Sequence, residues 1–217
     1  MKLLANLNEL LFPHRCLGCA VLGDTLCSRC RVDWSFIVRT TYFENLRVVA
    51  SVEYSNVVQK IILASKESLI KSADCLLAEA LFNSYRIATE LTFKNIEIDA
   101  LVPIPSQKSA LRKRGRDFIT DISREIAMAE GVNCLPILRH RRKVRDQSTL
   151  NKVERWNNLK GSLVVESSDR TRLPARVLLI DDLVTTGATL IEASRALRYA
   201  GFEVVGAVTA AIAKPLR

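Results

Sequence analysis

The chain has 217 residues, of which 48 % are apolar and 25 % charged, and its net charge is +9. That balance excludes a globally disordered polymer, and no apolar run reaches the length of a membrane span. The length suits one α/β domain with a small appendage, and the basic excess favours anionic partners.

Residues 1–13 place Leu3, Leu4, Leu7, Leu10 and Leu11 at helical spacing. Asn6, Asn8 and Glu9 interrupt the apolar core that a signal peptide would need, and no small-residue cleavage site follows. The segment reads as a short amphipathic helix stopped by Pro13, in a cytoplasmic protein with no membrane insertion.

Four of the six cysteines follow within CLGCAVLGDTLCSRC: Cys16, Cys19, Cys27 and Cys30. Each pair is C-x-x-C, and seven residues separate the pairs. Two such turns bring four thiolates to the corners of a tetrahedron, the arrangement of a closed structural Zn²⁺ site. Disulfides are the alternative, disfavoured in a reducing compartment. Gly18 and Gly23 give the backbone room to turn, and His14 is a bystander to a complete thiolate set. Cys75 and Cys134 read as small core residues.

Farther on, LRVVASVEY (46–54) predicts a strand. Residues 56–90 carry Leu69, Ile70, Ala73, Leu76, Leu77, Ala80 and Leu81 at helical spacing. IDALVPIP (98–105) predicts a short buried strand entering a proline-bounded loop. FITDISREIAMAEG (118–131) is an amphipathic helix ended by Gly131, and VNCLPIL (132–138) a further strand. Residues 139–175 form a polar, basic excursion with one apolar run at Leu163–Val165. RVLLI (176–180) is a buried strand, 189–200 a helix closed by Gly201, and EVVGAVTAAIA (203–213) the last strand. Strands alternating with helices predict a mostly parallel sheet covered on both faces.

Two basic clusters stand out. Between Arg139 and Lys160 there are eight Lys or Arg against two acids, and QKSALRKRGR supplies Lys108, Arg112, Lys113, Arg114 and Arg116. Such stretches are either solvated faces or polyanion sites for phosphates, pyrophosphate or nucleic acid. Trp156, inside the first cluster, is either a stacking platform for single strands or a core residue.

The densest chemical signal is VLLIDDLVTTGAT (177–189). In a parallel α/β sheet, ligands bind outside the C-terminal ends of the strands. Asp181 and Asp182 stand where the predicted strand gives way to loop. Val184, Thr185, Thr186, Gly187, Ala188 and Thr189 then form an anion-binding turn at a helix N-terminus. Carboxylates for a diol beside a phosphate turn describe a phosphorylated ribose. A Walker loop is excluded by the missing Gly-Lys-[Ser/Thr] ending, and there is no GxGxxG.

This stretch resembles the phosphoribosyl pyrophosphate (PRPP) signature of type I phosphoribosyltransferases. The cysteine module, VPIP, the basic RKRG and a later DQSTL…ER…N together resemble the ComF family, associated with DNA uptake in natural transformation. The resemblance runs from Cys16 to about Ala213. It implies a helix and four-cysteine zinc module over 1–40 and a phosphoribosyltransferase-like α/β domain over 41–217. It also implies Asp181 and Asp182 on the ribose hydroxyls and Mg²⁺, and residues 185–189 on the 5′-phosphate. Arg112, Arg114 and Lys66 would lie near the pyrophosphate, and Gln147, Leu150, Arg155 and Asn158 match the family pattern in the basic segment.

Implied partners are PRPP, single-stranded DNA, and a DNA-uptake helicase or other competence proteins. The chain departs from the family at RGRDF (114–118), where RGFNQ is common, so contacts made there change. No base-binding constellation is legible in 40–95. Two functions follow: a PRPP-binding DNA-uptake protein, or an active transferase that releases pyrophosphate.

Overall fold

The apolar runs that start at Arg176 and Glu203 form the middle of a six-stranded sheet in the computed structural model, which describes residues 14–142, 159–166 and 176–213. The strands are β1 (Phe36–Phe43), β2 (Leu46–Glu53), β3 (Ala100–Pro103), β4 (Asn133–Cys134), β5 (Leu138–His140), β6 (Leu163–Val165), β7 (Arg176–Val184) and β8 (Glu203–Ile212). The main sheet has the order β1-β2-β8-β7-β3-β4, while β5 and β6 make a separate antiparallel pair. Every neighbouring pair of the main sheet is parallel except the β1–β2 hairpin at one edge.

Six α-helices are described: α1 (Ser28–Asp33), α2 (Asn56–Lys66), α3 (Lys71–Ile87), α4 (Lys108–Arg114), α5 (Phe118–Glu130) and α6 (Ala188–Tyr199). Period-two alternation along the strands sorts the core into two layers. Leu178, Ile180 and Val49 face one cluster, built with Ile61 of α2, Leu77 and Leu81 of α3, and Ile122 and Ile126 of α5. Val177, Leu179, Val48 and Ala50 face the other, built with Leu190, Ala193 and Leu197 of α6 and with Leu138 and Leu163 of β5 and β6. Each fully buried Leu or Ile contributes about 1.5–3 kcal/mol, so a sheet buried on both faces supplies most of the driving force. The result is the mostly parallel α/β sheet with flanking helices that the sequence predicts.

Glu192 of α6 fastens the small β5–β6 pair to the main body. It is buried, accepts the Leu163 N–H at 3.1 Å and holds the Arg195 guanidinium at 2.7 and 2.8 Å. Burial pushes its carboxyl up, but Arg195 and the backbone N–H groups of Leu163 and Gly161 outweigh it and hold it below the usual value.

Several expectations need correction. The helical stretch expected over 56–90 is two helices, because the chain breaks at Glu67–Ile70, where Leu69 takes φ +54°. Leu69 and Ile70 are consequently exposed rather than part of an apolar face. Cys75 is exposed as well. It lies two residues past the buried Ala73, on the opposite side of α3 from the Ala73, Leu77, Ala80, Leu81 stripe. The segment 132–138 holds two very short strands rather than one. The loop expected after β3 contains α4, closed by Gly115 at φ +70°. β7 continues four residues beyond its expected end, to Val184. The expected N-terminal helix, Trp156 and the positions Gln147, Leu150, Arg155 and Asn158 lie outside the described residues. Among the described residues no helix is long and apolar enough to cross a membrane.

Candidate functional site

The sheet places the acids at its topological switch point. From β3 the chain proceeds outward to β4 on one side, whereas β7 leads through α6 to β8 on the other. A crevice opens between strands whose connections diverge in this way. The ladder between β3 and β7 ends at Pro103 opposite Ile180, closed by Ile104 N–H donating to Ile180 O at 2.9 Å. Beyond that point β7 pairs with β8 alone, Asp181 opposite Thr209 and Val184 opposite Ile212. Asp181 and Asp182 are therefore strand residues, held straight by β8, with the β3 side of the strand open.

Alternation sends the two carboxylates to different layers. Asp182 continues the Leu178–Ile180 face and is only 3 % exposed. Lys66, the last residue of α2, reaches across that face and forms an ion pair with it. Asp181 is half-buried and turns one carboxylate oxygen back to accept the Asp182 N–H at 2.9 Å. Burial opposes the Lys66 charge, but Asp182 and then Asp181 outweigh it and hold the ammonium above its ordinary value. Burial, followed by the neighbouring Asp182 carboxylate, pushes Asp181 up to about 8 despite the pull of Lys66. Two carboxylates thus share a single lysine, leaving room in the charge balance for a further cation.

Past Val184 the chain bends through Thr185, Thr186 and Gly187 into α6. Gly187 caps the helix at φ +75°, a conformation that a Cβ would strain. Ile191 N–H donates to Gly187 O at 2.9 Å, so the N–H groups of the first turn have no carbonyl ahead of them. Thr186 accepts from Ala188 N–H at a long 3.5 Å. Val184 and Ala188 are buried, Thr189 is half-buried, and Thr185 is exposed at the tip.

On the other side of Lys66 lies a small cleft lined by Ser65, Lys66, Ser106, Arg114, Arg116, Phe118 and Ile119. Arg114 donates to Glu67 at 3.0 Å, and its Nε is buried without a hydrogen-bond partner among the described residues. Arg112 is exposed on α4 and takes no part in lining the cleft. His140 donates from Nε2 to Pro105 O at 3.0 Å, joining the root of the basic segment to the loop that precedes α4.

At the N-terminus, the Sγ atoms of Cys16, Cys19, Cys27 and Cys30 all lie within 4.8 Å of one another, and this group can hold a metal ion. None of the four is in a disulfide, and His14 is exposed outside the cluster. Cys27 N–H donates to Cys16 Sγ at 3.4 Å. Burial pushes the Cys16 thiol up, but the N–H groups of Cys27, Cys19 and Gly18 outweigh it and bring it down to about 6. Burial, followed by the neighbouring thiols of Cys19, Cys16 and Cys27, pushes Cys30 up to about 12. A Cβ on Gly18 would meet Cys30 Sγ at 2.7 Å, so only glycine fits there. Lys60 of α2 donates to Gly18 O at 2.6 Å and ties the module to the sheet's helical layer.

The fold has a counterpart among known proteins. Residues 72–216, two thirds of the chain, match the phosphoribosyl transferase domain family. The chain belongs to that family. Within the matched span lie both acids, the turn before α6, and Arg112 and Arg114. Lys66 and the cysteine cluster lie ahead of it.

An adenine phosphoribosyltransferase of Polynucleobacter asymbioticus is 35 % identical over 133 residues, 57 % of this chain and 70 % of that protein. The competence protein F of Haemophilus influenzae is 29 % identical over 108 residues, 49 % of this chain, which spans 47 % of that protein. A crystal structure of an adenine phosphoribosyltransferase aligns with 81 % of this chain and 84 % of its own at 13 % identity, with a TM-score of 0.43.

Of the residues singled out by sequence, the fold brings Lys66, Asp181, Asp182 and the 185–189 turn to one end of β7, with Arg114 in the adjoining cleft. Ser65, Glu67 and Asp74 are not singled out by sequence, and Arg116 stands out only as one of the basic run and as the RGRDF departure. Their signal was present in two acids that flank the Lys66 break, seven residues apart, opposite two arginines spaced by one glycine.

Proposed function

We propose that the crevice at the end of β7 binds Mg·PRPP or a related phosphoribosyl ligand. The observation that carries this reading is the end of the β3 ladder at Ile180, which opens the β3 edge of β7 beside Asp181 and Asp182, just ahead of the α6 N-terminus. Asp181 and Asp182 take the ribose hydroxyls, and the first-turn N–H groups with Thr185, Thr186 and Thr189 take the 5′-phosphate. The donor set fits Mg²⁺, since the ion prefers carboxylate oxygen and the two acids share one lysine. When bound, Mg²⁺ would offset the pyrophosphate charge that grows as the glycosidic bond loosens. Lys66 and Arg114, whose buried Nε–H has no acceptor among the described residues, hold that pyrophosphate from the protein side.

Mg·PRPP is expected to raise the melting temperature of the wild-type protein, as any ligand of the native state does. The Asp181→Asn/Asp182→Asn double variant should lose that increase. An equal increase in both proteins removes the ribose assignment.

The four cysteines, in our reading, hold a structural Zn²⁺ that closes the module over residues 1–40, apart from the ligand-binding unit at 41–217. Protein purified without chelators should carry about one zinc per chain. Metal-free protein with native stability contradicts the assignment.

We place the ligand site in a protein of DNA uptake, acting through single-stranded DNA and competence partners such as a helicase, in the cytoplasm. Support comes from the similarity to a competence protein F and from the basic segment Arg139–Lys160. Affinity for single-stranded DNA should fall steeply as salt rises if that segment neutralises phosphates. Salt-insensitive binding, or none, would sink this role. The alternative, an active transferase, rests on the similarity to an adenine phosphoribosyltransferase and is recognised by pyrophosphate release when PRPP is supplied with a nucleobase.

A further inference from the structure

The chemistry of the crevice turns on Lys66, yet Lys66 sits at a weak point of the chain. It ends α2, and the next four residues are the break in which Leu69 adopts a left-handed conformation. Backbone bonds close the helix itself, Glu67 N–H to Leu63 O at 2.7 Å and Ile70 N–H to Ala64 O at 3.1 Å, and Arg116 adds a side-chain anchor to that end. Its guanidinium grips Asp74 at 2.6 and 2.8 Å and donates to the Ser65 carbonyl at 3.0 Å. That carbonyl belongs to the last turn of α2, where helical carbonyls lack intrahelical donors and a cation is favoured.

Ser65 Oγ, itself fully buried, donates to the same Asp74 at 2.5 Å. The Arg116 plane also lies over the Phe118 ring, 5.5 Å from its centroid. One guanidinium therefore joins the end of α2, the first turn of α3 and the start of α5. Arg114, two residues earlier, takes Glu67 on the far side of Lys66. The 114–116 loop thus holds the 65–67 segment from both sides.

We infer that Arg116 is a positioning residue for Lys66, acting through the Ser65 carbonyl and Asp74 rather than by touching the ligand. The inference rests on the proposed phosphoribosyl site and names what orders its pyrophosphate end. Arg116 occupies the position at which RGRDF departs from RGFNQ, and Asp74 is the partner that gives this arginine a structural task. The pair makes a bidentate contact that lysine cannot reproduce, because one ammonium cannot span Asp74 and the Ser65 carbonyl in a fixed plane.

The test is calorimetric titration of the full chain with inorganic pyrophosphate and, separately, with ribose 5-phosphate, both with Mg²⁺. Arg116→Ala and Arg116→Lys should each weaken pyrophosphate binding about tenfold, the scale of one lost charge-assisted contact, and alter ribose 5-phosphate binding less than about twofold. Asp74→Asn should produce the same selective loss although it removes a negative charge. In a Lys66→Met background, Arg116→Lys should have no further effect, since the residue through which it acts is gone.

If Asp74→Asn instead tightens pyrophosphate binding, Arg116 is a direct ligand and the inference is wrong. An equal loss for both ligands marks a merely structural role and also overturns it. Should Arg116→Ala fail to fold, Asp74→Asn and Arg116→Lys carry the comparison. Wild-type protein that binds ribose 5-phosphate but shows no change in any variant refutes the positioning role alone. Wild-type protein that binds neither ligand refutes the site and the inference together.

Discussion

Two adjacent carboxylates at the buried end of a strand repel one another, and the site depends on how that repulsion is met. β8 keeps Asp181 and Asp182 in an extended register, so their side chains leave the strand on opposite faces. Lys66 neutralises Asp182 from the α2 side, while Asp181 is left with a carboxyl that holds its proton up to about 8. With that proton in place the strand end balances its charge, and a cation can take the place of the proton. The open β3 side of β7 is the way in for the proposed ligand.

Aiming Lys66 demands more structure than the lysine itself. It lies ahead of the span that matches the phosphoribosyl transferase domain family, on a helix that ends beside a strained turn. The salt-bridged loop at 114–116 and the carboxylates of Glu67 and Asp74 restrain that end from two sides. The cysteine cluster holds α2 from a third direction through Lys60 and Gly18. Module and sheet thus share one helix, and ordering the cysteine turns also orders the base from which Lys66 extends.

The parts of this architecture legible in the sequence are those governed by periodicity and by short-range chemistry. The α5 pattern Ile119, Ile122, Ile126 and the closing Gly131 appear directly as a helix and its left-handed cap. The C-x-x-C pairs fix a four-thiol cluster because their spacing leaves few other geometries. The TTGAT turn leads into α6, whose helical start is one residue from its expected place. Tertiary context hid the rest. Asp is a poor strand former, so β7 reads as ending at Ile180, yet pairing with Thr209, Ala211 and Ile212 of β8 overrides that preference. β1 is an edge strand, exposed along most of its length, and it owes its existence to the antiparallel pairing with β2. α4 is concealed in a basic run that has no apolar stripe. Arg116 looked like one more charge in that run until the fold set it against Asp74, forty-two positions away in sequence.

The central claim is that a phosphoribosyl ligand enters the crevice at the end of β7. A crystal structure of the protein with Mg·PRPP bound tests it most directly. The account predicts ribose hydroxyls on Asp181 and Asp182, the 5′-phosphate against residues 185–189, and Lys66 moved from Asp182 to the pyrophosphate. PRPP bound elsewhere, or bound with the Lys66–Asp182 pair intact, would contradict it.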